Sequence, residues 1–235
     1  MREGESVNEV LAELKAGIRK FRTETYPKNK ATYLQSVKEP QRPHALFITC
    51  ADSRLDPELI TQSGPGDIFV TRNIGNLVPA YGEMLGGVSA VVEYAVTGLK
   101  VQHVVICGHS DCGAMKGILE HDHLDELPMV KSWLQHAGPS SRWLRDALQD
   151  ASSWSFEKKL GLLTEANVIM QMQNLRLHPA VAEGLKSGTV QVHAWMYDIG
   201  SGKLRRFDSE QGSFRSLIAD GAPTTTQAQP ERKIA

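Results

Sequence analysis

The sequence predicts an α/β fold: a mostly parallel central β-sheet flanked by helices, with an N-terminal helical arm and a short disordered C-terminal tail. Three observations carry the prediction. Short runs rich in strand-forming residues alternate with segments of helical period, as strand–helix–strand units require. Those runs are apolar on both faces, which suits strands buried in a parallel sheet. Both ends break the alternation, one with a helix before the first strand and the other with the polar stretch GAPTTTQAQPERKIA, which has no apolar period.

In chain order, Ser6 to Glu9 (SVNE) has capping-box spacing, and Val7, Val10, Leu11, Leu14, Ile18 and Phe21 recur at helical period. This amphipathic helix lies in an arm over residues 1–40, and its apolar stripe must cover its own domain or a second subunit. HALFIT reads as the first strand, and DPELITQSG as one helical segment closed by glycine. DIFVTRNIGN gives a second strand, GGVSAVVEYAVTGL a small-residue helix able to pack closely on a sheet, HVVIC a third strand and CGAMKGILE a short helix. The segment Trp133 to Ser155 is read as helical without a clean period, and GLLTEANVIMQMQNLRLHP as a long helix ended by Pro179. TVQVHAWMYD and KLRRFD then form a hairpin across the IGSG turn. One domain over residues 1–220 and a disordered tail over 221–235 follow.

Composition excludes several roles. The 235 residues, 41% hydrophobic and 23% charged, suffice for one substantial core. With 26 basic and 27 acidic residues the formal net charge is -1, so no field recruits nucleic acid or an anionic membrane. The first residues, MREGESVNEV, are charged where a signal peptide needs an apolar core, and no run approaches a membrane span. A cytoplasmic location is the expectation. Three cysteines in a chain of this size call for something other than disulfide staples.

FITCADSR and HVVICGHSDC pass straight from apolar strands into thiol, imidazole, carboxylate and guanidinium. In open parallel sheets ligands bind outside the carboxyl ends of the strands, so Cys50, His109 and Cys112 are placed to converge there. Two thiolates and an imidazole favour zinc, and three protein ligands leave a fourth position open. A lone His-x-x-Cys is common without metal, and a second strand-end cysteine strengthens the metal reading. Gly108 and Gly113 flank the pair and would permit a tight turn. Asp52 projects from the same strand end, with Arg54 spaced to hold its carboxylate through a bidentate pair; the alternative is an ordinary loop salt bridge. Cys107 reads as a buried, inert strand thiol.

CADSR followed by GHSDC, with PGDIFVTRNIGNLV and GGVSAVVEYAV between them, resembles the β-class carbonic anhydrases over roughly Gln41 to Tyr197. The resemblance implies one Zn2+ per subunit on Cys50, His109 and Cys112, the catalytic Asp52–Arg54 pair, and reversible hydration of carbon dioxide to bicarbonate by zinc-held hydroxide. It implies a homodimer or homotetramer whose N-terminal helix reaches a neighbouring subunit. It places Gln41, Phe69, Ile74, Tyr94 and the Gly113 amide in the substrate pocket, as in the plant-like branch.

Some bacterial relatives close the site at low pH, with the aspartate on zinc, and bind bicarbonate at a second site of Trp, Arg and Tyr. Arg72 and Tyr197 match two of those positions, but Phe47 stands where the Trp is expected, so an open site is predicted at neutral pH. His121 and His123 read as solvated loop residues, with a proton relay as the alternative. Two rival functions share the features: a carbon disulfide or carbonyl sulfide hydrolase on the same scaffold, and a non-catalytic zinc domain used in assembly.

Overall fold

A computed structural model describes residues 6–82, 86–120, 124–138 and 154–218. The tail, His121, His123 and residues 139–153 of the segment read as helical lie outside the described residues. The six strands are β1 (Ala45–Cys50), β2 (Ile68–Asn73), β3 (His103–His109), β4 (Gln191–Tyr197), β5 (Leu204–Asp208) and β6 (Ser213–Ser216), and they form one sheet in the order β2-β1-β3-β4-β5-β6. The first four strands are parallel and the last two antiparallel, as a βαβ core extended by hairpins gives.

Helices α1 (Val7–Lys20) and α2 (Tyr26–Lys38), joined by the π-helical turn Phe21–Thr25, make the arm. The capping box is formed as expected: Ser6 Oγ accepts from Glu9 N–H, and the Glu9 carboxylate accepts from Ser6 N–H at 2.7 Å. No residue of either helix is buried, and Val7, Leu14, Ile18 and Val37 are largely exposed.

α3 (Pro57–Thr61), α4 (Gly87–Glu93), α5 (Gly113–Glu120), α6 (Pro128–Trp133), α7 (Phe156–Arg176) and α8 (Pro179–Ser187) are the further α-helices among the described residues. Three details differ from expectation. α3 ends at Gln62 in the left-handed region (φ 53) instead of reaching a glycine. Pro179 both follows α7 and opens α8, since proline suits a first helical turn as well as a helix stop. β6 carries no apolar run and was not expected; pairing with β5 makes it a strand.

One sheet face presents Leu46, Ile48, Val104, Ile106, Ala194 and Met196 to Val168, Met172 and Leu175 of α7 and Val92 of α4. Burying each large aliphatic side chain contributes about 1.5–3 kcal/mol. Gly108 in β3 lets α7 approach: a Cβ there would lie 2.4 Å from Val168 Cγ2. The other face carries the smaller buried cluster Phe47, Val105 and Cys107.

Candidate metal centre and active site

β1 and β3 are adjacent and parallel, so their carboxyl ends coincide, and Cys50 and His109 are the last residues of the two strands. Cys112 follows three residues after His109, immediately before α5. The three ligand atoms lie within 4.8 Å of one another and all three residues are buried.

The donor chemistry fits zinc. His109 Nδ1 lies 2.8 Å from Ser110 O, and a carbonyl only accepts, so Nδ1 carries the proton and the Nε2 lone pair is left for another partner. That Nε2 is buried and has no hydrogen-bond partner among the described residues. Cys50 Sγ accepts from Gly75 N–H at 3.4 Å. Its pKa is drawn down, first by the hydrogen bond from Cys112 and further by the Gly75 N–H, against a burial cost. The donating Cys112 thiol is pushed up, by that bond and by burial. A dication binding there would take both sulfurs as thiolates and release their protons. Cys107, fully buried, is pushed up to about 12 by desolvation and takes no part.

Asp52 and Arg54 form the expected pair. Arg54 Nε and Nη2 donate to Asp52 Oδ1 and Oδ2 at 2.9 and 2.7 Å, and the Arg54 backbone N–H donates to Oδ1 at 3.0 Å. These bonds, the Arg54 side chain first, hold Asp52 well below the usual carboxylate range. Asp52 Oδ2 stands 3.9 Å from His109 Nε2, so the carboxylate borders the cluster. Arg72 donates to Cys50 O at 3.1 Å and to Asp52 O at 2.5 Å, fastening the backbone between the two.

The residues expected in the substrate pocket divide between two ends of the sheet. Ile74 and Gly113 adjoin the cluster: Ile74 precedes Gly75, and Gly113 follows Cys112. Gly113 opens α5 with open space around it, and the left-handed turn residue is Asp111 (φ 60), so the turn glycines expected at 108 and 113 are not what bends the chain. Gln41 and Tyr94 instead line a cavity of about 770 Å3 with Pro43, His44 and Lys100, beside the amino ends of β1 and β3. Phe69 packs on Tyr94 with ring centroids 5.9 Å apart and pairs with Leu46, four residues before the strand end. At about 3.3 Å per residue that leaves roughly 13 Å along the strand. A single chain does not bring these three to the cluster.

Sequence reasoning missed two supports. α7 sends Asn167 Nδ2 to Gly75 O at 3.0 Å, Gln171 Oε1 to Val78 N–H at 2.8 Å and Asn174 Nδ2 to Val78 O at 2.9 Å, fixing the segment that holds Cys50. The signal was a polar stripe at helical spacing, Thr164, Asn167, Gln171 and Asn174. The second is Trp195 on β4, edge-on to Phe47 with centroids 5.9 Å apart and its Nε1 without a partner among the described residues. The indole missing at position 47 thus has a counterpart two strands away.

The carbonic anhydrase family profile matches residues 45–204. A carbonic anhydrase of Pseudomonas aeruginosa is 44% identical over 93% of this chain and 97% of its own length. The structure of the β-carbonic anhydrase CcaA superposes with a TM-score of 0.83 at 38% identity, covering 88% of this chain and 98% of that one. A tetrameric β-carbonic anhydrase from Sordaria macrospora gives 0.74 at 27% identity, covering 88% and 99%. With the Cys–His–Cys cluster at the strand ends and relatives aligned along most of its length, this chain belongs to the carbonic anhydrase family, in its β class.

Proposed function

We propose that this protein catalyses the reversible hydration of carbon dioxide to bicarbonate and a proton, with one zinc ion per subunit held by Cys50, His109 and Cys112. The observation that carries the reading is the doubly bonded Asp52–Arg54 pair bordering the Cys–His–Cys cluster. Zinc in such a site supplies Lewis acidity, lowering the pKa of water so that hydroxide is available near neutral pH. Two thiolate ligands offset the dication's charge and leave it a weaker acid than one held by three neutral histidines.

The protein's own groups do the rest. Asp52, kept ionised by Arg54, retains lone pairs to accept a hydrogen bond from the attacking hydroxyl and so aim its nucleophilic lone pair. Ile74 contributes apolar surface beside the cluster, and the Gly113 N–H is a donor for a bicarbonate oxygen. The Gln41 amide, Phe69 and Tyr94 complete the pocket from a second copy of the chain, because within one chain they gather at the amino end of the strands. The working unit is therefore a homodimer, able to pair further into a tetramer. No helix among the described residues is long and apolar enough to cross a membrane.

The test is the stopped-flow rate of carbon dioxide hydration by zinc-loaded protein across about pH 6.5 to 9, which brackets zinc-water values of roughly 7 and 9. The expected result is rapid hydration rising along one titration on the alkaline side, as an open site gives. A cooperative onset only above about pH 8 would keep the reaction and overturn the open site. No hydration at any pH would overturn the reading; sulfide release from carbonyl sulfide would then identify the hydrolase on the same scaffold.

A further inference from the structure

Arg54 is 45% exposed, so packing does not hold it; hydrogen bonds must. One edge of the guanidinium is taken by Asp52. At the edge next to it Nη1 donates to Asp111 Oδ2 at 2.9 Å and Nη2 to Asp111 O at 3.2 Å. The second oxygen of Asp111 is paired with Lys116 of α5. Asp111 occupies the left-handed region at φ 60, where asparagine, aspartate and glycine are the residues most readily accommodated, and that conformation turns both its carbonyl and its carboxylate toward Arg54.

We infer that Asp111 is a positioning residue for the proposed reaction: it clamps Arg54 at the guanidinium edge next to the one Asp52 holds, so that Arg54 in turn keeps the Asp52 carboxylate turned away from the metal's open position. The inference rests on the proposed hydration. A guanidinium anchored at one edge pivots about its long side chain, whereas one anchored at two edges has a single orientation. The chain Lys116–Asp111–Arg54–Asp52 also ties α5, which begins next to Cys112, to the segment that follows Cys50, so the two cysteine-bearing loops are held in register.

Asp111→Asn tests this in the zinc-loaded protein, because asparagine keeps the left-handed backbone and the carbonyl contact while removing the charge. Two readouts are needed: the rate at which phenylglyoxal modifies Arg54, followed by peptide mass spectrometry against the other arginines of the same digest, and kcat and KM for hydration. The expected result is faster modification of Arg54 and a kcat/KM lower by about fivefold, mostly in kcat, with zinc content and melting temperature unchanged; that size suits a partly exposed charge pair. Lys116→Met removes the outer link and should move both readouts the same way by about twofold. Unchanged modification of Arg54 overturns the clamp, and faster modification with unaltered hydration overturns its role in the reaction. A wild-type protein without hydration activity would sink the parent reading instead, while the modification rates would still report whether the clamp exists.

Discussion

The Asp52 carboxylate stands between two cations, Arg54 on one side and the ion expected at Cys50, His109 and Cys112 on the other, and the one it serves decides whether the site is open. Asp52→Asn preserves shape but replaces one acceptor oxygen with a donor, so the arginine pair is broken and the attacking hydroxyl loses its orienting partner. Zinc content should stay at one per subunit while kcat falls by about a hundredfold or more, the range for a positioned proton-handling group. Activity within a factor of two of wild type would reduce the pair to a surface salt bridge. This part of the site was legible because CADSR and GHSDC concentrate reactive side chains where apolar strands end. The Arg54–Asp111 contact was not: its partners are 57 positions apart, and only the parallel pairing of β1 and β3 brings them together.

At the scale of elements, α7 is both a core helix and a polar brace. Leu163, Val168, Met172 and Leu175 bury its apolar side, while Thr164, Asn167 and Gln171 are also buried, and Gln171 Nε2 donates to Asn167 Oδ1 at 3.0 Å. Sequence periodicity identified the helix but not the brace, since amides on a helix ordinarily face water and only the neighbouring loop shows what they bind. Gln171→Leu would strand Val78 N–H and Asn167 Oδ1 in the interior, at about 1–3 kcal/mol for each unpaired group. Chemical denaturation should report a loss of about 2–5 kcal/mol, and the variant should give up zinc to a chelator faster, because the Gly75 N–H that supports Cys50 is held by the same network. A loss below about 0.5 kcal/mol, the level of an ordinary surface substitution, would contradict the brace.

His178 caps the start of α8 with its ring buried and Nε2 3.2 Å from Pro79 O, and burial lowers its pKa. A lowered value means that the unfolded chain binds a proton more readily, so stability rises with pH and is lost as pH falls from about 6.5 toward the folded-state value. Between pH 7.5 and 5.5, His178→Gln should show a smaller fall in melting temperature than the wild type; an equal or steeper fall would show that His178 is not a source of the acid sensitivity.

For the whole molecule, the unresolved question in the sequence was what the N-terminal stripe covers, its own domain or a second subunit. Among the described residues it buries no side chain: Val7, Leu14, Ile18 and Val37 are between 61% and 84% exposed, and Phe21, Tyr26 and Tyr33 pack on one another at the elbow between α1 and α2. So large an apolar face left in water favours association. The division of the proposed pocket residues between opposite ends of the sheet points the same way, since the roles proposed for Gln41 and Tyr94 need a cluster that their own chain does not bring to them. Periodicity and strand ends give the face of a helix and the end of a strand but not the neighbour that meets them; only the resemblance to β-class relatives implied a second subunit for the arm. Deleting residues 1–40 leaves every zinc ligand and Gln41 in place while removing the arm. Sedimentation should then report a monomer that still carries zinc, and hydration should drop by about a hundredfold because the pocket is only half built. A zinc-loaded monomer with full activity would place the whole site within one chain and refute the shared pocket. A truncated protein that remains dimeric would assign association to the sheet itself and leave the arm without that role.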